Sequence, residues 1–255
     1  MKTKKQPTVV AFSTQKGGVG KSTFTTLIAS LLHYQKGYQV AVFDCDFPQY
    51  SLLQMRERDL KMVMQNETLK KMAHKQFTSI NKKAYPIFQS KTDKVLEEME
   101  AYVNGSEIIP DVIFLDLPGT VNTAGILRTL VNVNYIFSPI TADRVVLEST
   151  LSLTDVLTNV LMKENQTGIK SIHLFWNQVD GREKSILYKN YSKVIIDLGL
   201  HLMETTIADS KRFRKEGESL AKTVFRSTLL PADSKLLAQC RLDKFIEEFL
   251  RIVKL

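Results

Sequence analysis

A nine-residue stretch, Gln15–Thr23 (QKGGVGKST), constrains the fold of this chain more than any other feature. It follows the apolar run Val9–Phe12 and precedes a second apolar run, Phe24–Leu32. A buried strand, a glycine-rich loop and a helix in that order are the context in which a backbone wraps around phosphate groups. A chance glycine-rich turn is a much weaker explanation of the full pattern. The stretch therefore predicts a nucleotide-binding α/β fold.

Short apolar runs alternate with longer helical patterns along the chain. Most of these runs lack strict polar alternation, which is typical of strands buried on both faces of a parallel sheet. The predicted strands are Thr8–Ser13, Gln39–Phe43, Val112–Leu115, Tyr135–Phe137, Ser171–Trp176 and Leu200–Thr205. The predicted helices are Ser22–Gln35, Thr123–Val131, Arg144–Met162, Arg182–Leu198 and a long pattern over Asp233–Val253. We expect an α/β fold of the P-loop NTPase type, with a doubly wound, mostly parallel sheet flanked by helices.

One region interrupts this alternation. Residues 54–109 show no obvious strand and have helical patterns, with a loop around Tyr85-Pro86 and a stop at Gly105. A chain of 255 residues is long enough for one large α/β domain and short for two. We expect residues 1–255 to form a single domain, with 54–109 as a helical elaboration after the second strand.

The chain is basic, with a net charge of +8. This charge indicates an anionic partner, either nucleic acid or an acidic membrane surface, although many basic proteins bind neither. No run approaches about 18 uninterrupted apolar residues, and the basic start lacks the long apolar stretch of a signal peptide. We therefore expect a cytoplasmic protein. Cys45 and Cys240 lie far apart without metal-ligand spacing, so a disulfide scaffold and a zinc site are both unexpected.

Each residue type within Gln15–Thr23 suits phosphate chemistry. The glycines let the backbone approach phosphate oxygens closely, and amide groups at the helix start supply partial positive charge. Lys21 would neutralise the β- and γ-phosphates, and the Ser22 hydroxyl would ligate Mg²⁺. The predicted nucleotide contacts in this loop are Gly17, Gly18, Val19, Gly20, Lys21, Ser22 and Thr23.

Carboxylates follow two of the predicted strands. Asp116 ends the apolar run of VIFLDLPGT, as a Mg²⁺-associated acid should, and Pro118-Gly119 form a turn able to sense the γ-phosphate. Asp44 and Asp46 both end the second strand, where their mutual repulsion requires a cation or a water network between them. A solvated turn is the simpler alternative for this pair. The predicted metal ligands are Ser22, Asp116 and Asp44.

Three motifs together resemble the ParA/MinD family of deviant Walker A ATPases. They are KGGVGKST at 16–23, DCDFPQYS at 44–51 and FLDLPGT at 114–120, and residues 137–150 and 204–216 match more loosely. The leading lysine of the first motif is specific, since ordinary P-loop enzymes do not require it. The chain most resembles small ParA-type partition ATPases, including those encoded on conjugative elements.

The resemblance implies a dimer operated by ATP and Mg²⁺. Lys16 would be the signature lysine that reaches the phosphates bound by the partner subunit. Asp46 would orient the attacking water, Asp116 would be the Mg²⁺-linked acid of Walker B, and Asp44 its accompanying strand-end acid. Two ATP molecules at a symmetric interface gather negative charge, which a lysine from each side offsets. The implied catalytic residues are Lys16, Lys21 and Asp46.

The chain departs from the family pattern at two positions. Small partition ATPases usually read D-x-D-P-Q, whereas Phe47 is inserted here before Pro48-Gln49. Ala208 stands where the family often has a proline, in a segment that helps to hold the adenine. Asn177 and Asp180 of NQVD are further candidate adenine contacts, and a plain loop is an equal alternative for them.

Residues 211–226 (KRFRKEGESLAKTVFR) are basic with interleaved aromatic residues. In ParA-like ATPases the corresponding region lies near a dimer surface that binds DNA without sequence preference. A solvated helix face is the simpler alternative, and it applies equally to a second basic stretch at 56–83. The predicted DNA contacts are Lys211, Arg212, Arg214, Lys215 and Arg226, which would give salt-sensitive binding.

The resemblance implies a nucleoid-associated ATPase that segregates or transfers a plasmid, chromosome or mobile element. It would bind non-specific DNA as an ATP-dependent homodimer, and a ParB-like or other protein partner would stimulate hydrolysis. A metabolic enzyme with this fold would need a second small-molecule pocket, for which we find no motif. A metallocluster reductase would need paired interface cysteines, which are absent.

The alternative function is that of a MinD-like positioning ATPase, whose relatives end in a membrane-binding amphipathic helix. The segment RLDKFIEEFLRIVKL has an apolar stripe, but acidic residues on its polar face favour docking onto the sheet. A membrane partner is therefore unexpected. The stripe consists of Leu242, Phe245, Ile246, Phe249, Leu250 and Val253.

Overall fold

The computed structural model describes residues 6–119, 124–162, 167–180, 186–210, 213 and 224–255. Its strands are β1 (Thr8–Phe12), β2 (Val40–Asp44), β3 (Ile87–Gln89), β4 (Val112–Asp116), β5 (Tyr135–Ile140), β6 (Ser171–Trp176) and β7 (His201–Leu202). They form a seven-stranded parallel sheet in the order β3-β2-β4-β1-β5-β6-β7. The predicted α/β fold is confirmed, with β1 at the centre of the sheet.

Helices flank both faces of this sheet. They are α1 (Lys21–Tyr34), α2 (Ser51–Gln65), α3 (Glu67–Ile80), α4 (Val95–Gly105), α5 (Ala124–Leu130), α6 (Arg144–Asp155), α7 (Ile186–Asp197), α8 (Ser234–Gln239) and α9 (Leu242–Val253). Helix α6 continues as a π-helical segment, Val156–Leu161. The starts predicted for α5 and α7, at Thr123 and Arg182, lie outside the described residues. Within the ranges that the structure covers, no helix is long and apolar enough to cross a membrane.

Side chains of the central strand alternate between two cores. Val10 and Phe12 of β1 pack on the face that α1 and α9 cover, whereas Val9 and Ala11 pack on the opposite face with Ile126 of α5. Because both faces are covered by helices, the strand needs apolar side chains in both directions. This explains why the sequence shows an uninterrupted apolar run here.

Helix α9 packs onto the sheet through aromatic rings, as its apolar stripe predicts. The ring centroid of Phe245 lies 4.7 Å from that of Phe175 and 5.6 Å from that of Phe24. The ring centroid of Phe249 lies 4.8 Å from that of Phe137, and both α9 rings are fully buried. Full burial of such a side chain contributes about 1.5–3 kcal/mol, which holds α9 against the sheet.

The prediction that residues 54–109 contain no strand is wrong. Strand β3 pairs in parallel with β2, with Val42 opposite Ile87 and Phe43 opposite Phe88. The strand has only three residues and none is fully buried, so it lacks the apolar run that marks the other strands. The rest of the region forms α2, α3 and α4, and α4 ends at Gly105 as predicted.

Candidate nucleotide-binding site

The phosphate loop, residues 15–23, connects the carboxyl end of β1 to the first turn of α1. Gly18 and Gly20 have φ angles of 77° and 95°, left-handed values that favour glycine. The first turn of α1 contains no acidic side chain, so nothing on the helix itself offsets the partial positive charge of its amide groups. The loop therefore presents backbone donors and positive potential to an anion.

The two lysines of the loop have different surroundings. Lys21 is buried, and its ammonium donates a hydrogen bond of 3.4 Å to the carbonyl of Lys16. Burial lowers the pKa of Lys21, while Asp116 and Asp46 oppose the shift. The side chain of Lys16 is exposed. Lys21 thus lies inside its own loop, whereas Lys16 points its charge to the outside.

Two later segments close around the phosphate loop. A Cβ at Gly119 would lie 3.2 Å from the backbone of Gly17 and 3.3 Å from the Lys21 Nζ, so this approach favours glycine. Asn177, which follows β6, is buried and donates from Nδ2 to the Val19 carbonyl at 2.9 Å. The predicted γ-phosphate turn and the predicted adenine residue Asn177 therefore both contact the loop.

Asp44 and Asp116 lie opposite each other on the neighbouring strands β2 and β4, and both are fully buried. Asp44 accepts hydrogen bonds from the amides of Leu52 at 2.9 Å and Leu53 at 3.1 Å. These bonds cap the first turn of α2. Burial raises the pKa of Asp44, and the amide donors oppose the rise. Asp44 therefore anchors α2, in addition to the metal-binding role predicted for it.

Both carboxylate oxygens of Asp116 lack a hydrogen-bond partner in the part of the chain that the structure describes. Burial raises the pKa of Asp116 to about 7, while the nearby Ser22 side chain favours the charged form. A buried carboxylate without donors is costly unless a cation or its bound water lies beside it. Ser22 and Asp116 therefore fit a Mg²⁺ ion between the loop and β4.

Asp46 is partly buried and lines the same pocket as Ser22. Burial raises the pKa of Asp46, and Lys21 opposes the rise. Phe47 follows it with 57% of its surface exposed, and the Lys91 ammonium lies 5.3 Å from its ring centroid. The inserted phenylalanine thus turns outward while Asp46 stays at the pocket. Orientation of water by Asp46 stays a prediction.

A cavity of about 620 Å³ opens beside the phosphate loop. Its far side, here called the α2 wall, consists of Ser51, Gln54, Met55 and Arg58 of α2 together with Arg226. The Arg226 guanidinium donates to the Thr23 hydroxyl. The structure therefore places this predicted DNA contact against the phosphate loop. The other predicted DNA contacts, Lys211, Arg212, Arg214 and Lys215, lie outside the described residues.

Buried polar contacts tie residues 224–230 to α2. Asp59 is 3% exposed and accepts from the amide of Thr228 at 2.6 Å, its hydroxyl at 2.8 Å and the Ser227 hydroxyl at 3.1 Å. Arg56 donates to the Thr228 carbonyl at 3.1 Å. The sequence alone does not identify Arg56 and Asp59, because charged side chains on an amphipathic helix are normally solvated. We find no local signal that would have identified them.

The two segments predicted to contact adenine lie side by side. Val179 forms an isolated parallel bridge with Ala208, and its amide donates to the Ile207 carbonyl at 2.9 Å. Asp180 is exposed at the end of this NQVD segment. The structure thus brings the two candidates together at the carboxyl end of β6, although an adenine contact by either stays a prediction.

A family model described as the CobQ/CobB/MinD/ParA nucleotide binding domain matches residues 10–223. The chain belongs to this family. The match includes the phosphate loop and the three strand-end aspartates, so the predicted ParA/MinD resemblance is confirmed. No curated protein sequence matches the chain.

Solved structures share the fold of this ParA/MinD-type chain. A protein described as a plasmid partition protein of Borrelia burgdorferi B31, solved with AMPPNP, has a TM-score of 0.62 and 18% identity over 96% of this chain and 99% of that one. The pNOB8 ParA, solved bound to nonspecific DNA, has a TM-score of 0.59 and 19% identity over 97% and 99%. A ParA family ATPase of Chlorobium tepidum TLS has a TM-score of 0.58 and 15% identity over 94% and 96%. At these identities the similarity shows the fold.

Proposed function

We propose that this protein is a ParA-type partition ATPase that works as an ATP-dependent sandwich dimer. The observation that carries the proposal is the contrast between the two loop lysines. Lys21 is buried against its own loop, whereas the Lys16 side chain is exposed on the same loop. Exposure leaves the charge of Lys16 free to approach the phosphates of a second copy of the chain in a symmetric dimer, which supports the proposal.

The site residues divide the work of phosphoryl transfer to water. The loop amides and Lys21 hold the phosphates, and Ser22 and Asp116 hold Mg²⁺, which neutralises charge on the phosphate oxygens. Asp46, at the edge of the pocket, orients the attacking water. Lys16 of each subunit adds positive charge across the interface as the leaving group gains negative charge.

DNA is the proposed surface on which the dimer acts. The net charge of +8 supports an anionic partner. The pNOB8 ParA, which shares this fold, was solved on nonspecific DNA. We further propose a nucleoid-associated location, stimulation by a ParB-like or other protein, and a plasmid, chromosome or mobile element as cargo.

The MinD-like alternative has less support. A membrane-binding α9 would have to release Phe245 and Phe249, which are both fully buried against the sheet. Co-sedimentation with DNA and with anionic liposomes in the presence of ATP separates the two functions. We expect the protein to sediment with DNA, and sedimentation with liposomes only would contradict the partition role.

A Lys16→Gln variant tests the sandwich mechanism. We expect it to lose ATP-dependent dimerisation in analytical ultracentrifugation and to lose stimulated hydrolysis, because the cross-subunit charge is gone. ATP binding should persist through Lys21. Lys36→Gln, which removes an exposed lysine just beyond the end of α1, is the matched control. Normal dimerisation and turnover of the Lys16 variant would exclude the sandwich mechanism.

A further inference from the structure

The cavity beside the phosphate loop contains two arginines that the mechanism above does not use. Arg58 comes from α2 and Arg226 is the last residue of the basic stretch 211–226, and both belong to the α2 wall. The guanidinium of Arg226 reaches the first turn of α1, where it donates to the Thr23 hydroxyl. Two cationic side chains from distant parts of the chain thus meet beside the predicted Mg²⁺ serine.

Two guanidinium groups in one pocket repel each other. Burial lowers the pKa of Arg226 to about 10, and the charge of Arg58 adds to this fall while Asp59 opposes it. Arg226 still carries its charge at neutral pH. An anion that binds between the arginines relieves the repulsion, and guanidinium forks suit phosphate oxygens in particular.

The position of the pocket indicates which anion would bind there. Ser22 lines it, and both Ser22 and Thr23 lie in the first turn of α1, toward which a bound phosphate chain is directed. Arg226 reaches the loop at Thr23, one residue beyond the Mg²⁺ serine. Gly119, the predicted γ-phosphate turn, approaches the loop at Gly17, at the opposite end from Thr23, whereas Asp46 lines the same pocket as the arginines. An anion that Arg226 holds beside Thr23 is therefore a phosphate that ADP and ATP share.

We propose that Arg226, with Arg58 beside it, forms a second cationic contact for the phosphate chain of a nucleotide bound in the same subunit. The inference rests on the proposed function, since it uses the same nucleotide. It adds a contact made in cis by the α2 wall to the one that Lys16 would make in trans.

The surroundings of Arg226 hold it in position before a nucleotide arrives. The next two residues, Ser227 and Thr228, donate three hydrogen bonds to Asp59, and Arg56 donates from Nε to the Thr228 hydroxyl at 2.9 Å. Because the segment is already ordered, binding a phosphate costs little further ordering. Arg226 is therefore preorganised to bind a phosphate.

The proposal is tested by titrating the protein with fluorescent mant-ADP and mant-ATP, in the presence of Mg²⁺ and the absence of DNA. We expect Arg226→Gln to lower the affinity for both nucleotides about tenfold or more, because a charge-assisted hydrogen bond is lost. Arg58→Gln should lower both affinities by about three- to tenfold. The affinities of Arg226→Lys should lie between those of Arg226→Gln and wild type. Arg251→Gln, at an exposed position in the last turn of α9, is the charge-matched control.

The proposal would be overturned if Arg226→Gln and Arg58→Gln bound nucleotides as tightly as the control Arg251→Gln. So would unchanged nucleotide affinity with weakened DNA binding, which would make Arg226 the DNA contact that the sequence predicts. Thermal unfolding without nucleotide identifies a variant that has lost its fold, and Arg58, being exposed, provides a test that does not disturb the core. Failure of the wild-type protein to bind either nucleotide would instead contradict the proposed function.

Discussion

The two sides of the nucleotide pocket are built in opposite ways. The phosphate loop is contiguous in sequence and acts mainly through its backbone, which Gly18 and Gly20 shape. The α2 wall joins residues far apart in the chain, and its Arg226 depends on the buried hydrogen bonds of Asp59. Local geometry therefore determines the loop, whereas tertiary packing determines the wall. Damage to the loop should abolish nucleotide binding, whereas loss of the buried Asp59 contacts that support the wall should mainly cost stability.

Replacement of Lys21 by Ala should have the largest effect. The buried ammonium lies against the loop carbonyl of Lys16. Contacts to charged groups contribute about 1.5–3 kcal/mol each, so we expect mant-ATP affinity to fall at least about a hundredfold. Lys36→Ala, just beyond the other end of α1, should bind as wild type does. Near-normal binding by the Lys21 variant would mean that phosphates do not rest on this loop.

Replacement of Asp59 by Ala should show the opposite pattern. It leaves three buried donors of Ser227 and Thr228 without their acceptor. We expect the free energy of unfolding in urea to fall by about 2–4 kcal/mol, and nucleotide affinity to fall far less than with Lys21→Ala. Glu57→Ala, on the exposed side of the same helix, is the control. Unchanged stability would show that the wall does not depend on this carboxylate.

Replacement of Gly119 by Ala should have the smallest effect. The new methyl group would meet the Gly17 backbone at 3.2 Å and the Lys21 Nζ at 3.3 Å, so the loop must shift by a few tenths of an ångström. We expect mant-ATP affinity to fall by about three- to tenfold, with stability nearly unchanged. Gly105→Ala, where a methyl group meets nothing within 4 Å, should leave affinity intact. If both variants lost mant-ATP affinity equally, the effect would come from a change in the fold and not from the loop.

The same contrast explains what the sequence could predict. The phosphate loop and the ends of β2 and β4 were predictable because consecutive residues there determine backbone shape and burial. The role of Asp44 at the start of α2 was not, since it depends on where that helix begins. The contact of Arg226 with Thr23 and that of Asp59 with Thr228 depend on how distant segments pack. Strand β3 escaped detection because its three residues, two half-buried and one exposed, form no recognisable pattern.

The packing of α9 has a consequence for synthesis on the ribosome. Phe24 is translated more than 200 residues before Phe245, against which its ring packs. Until α9 emerges, one face of the central strands carries a cluster of uncovered aromatic rings that includes Phe137 and Phe175. Nascent chains with such surfaces are prone to aggregate. We therefore expect the partly made chain to aggregate more readily than the complete fold.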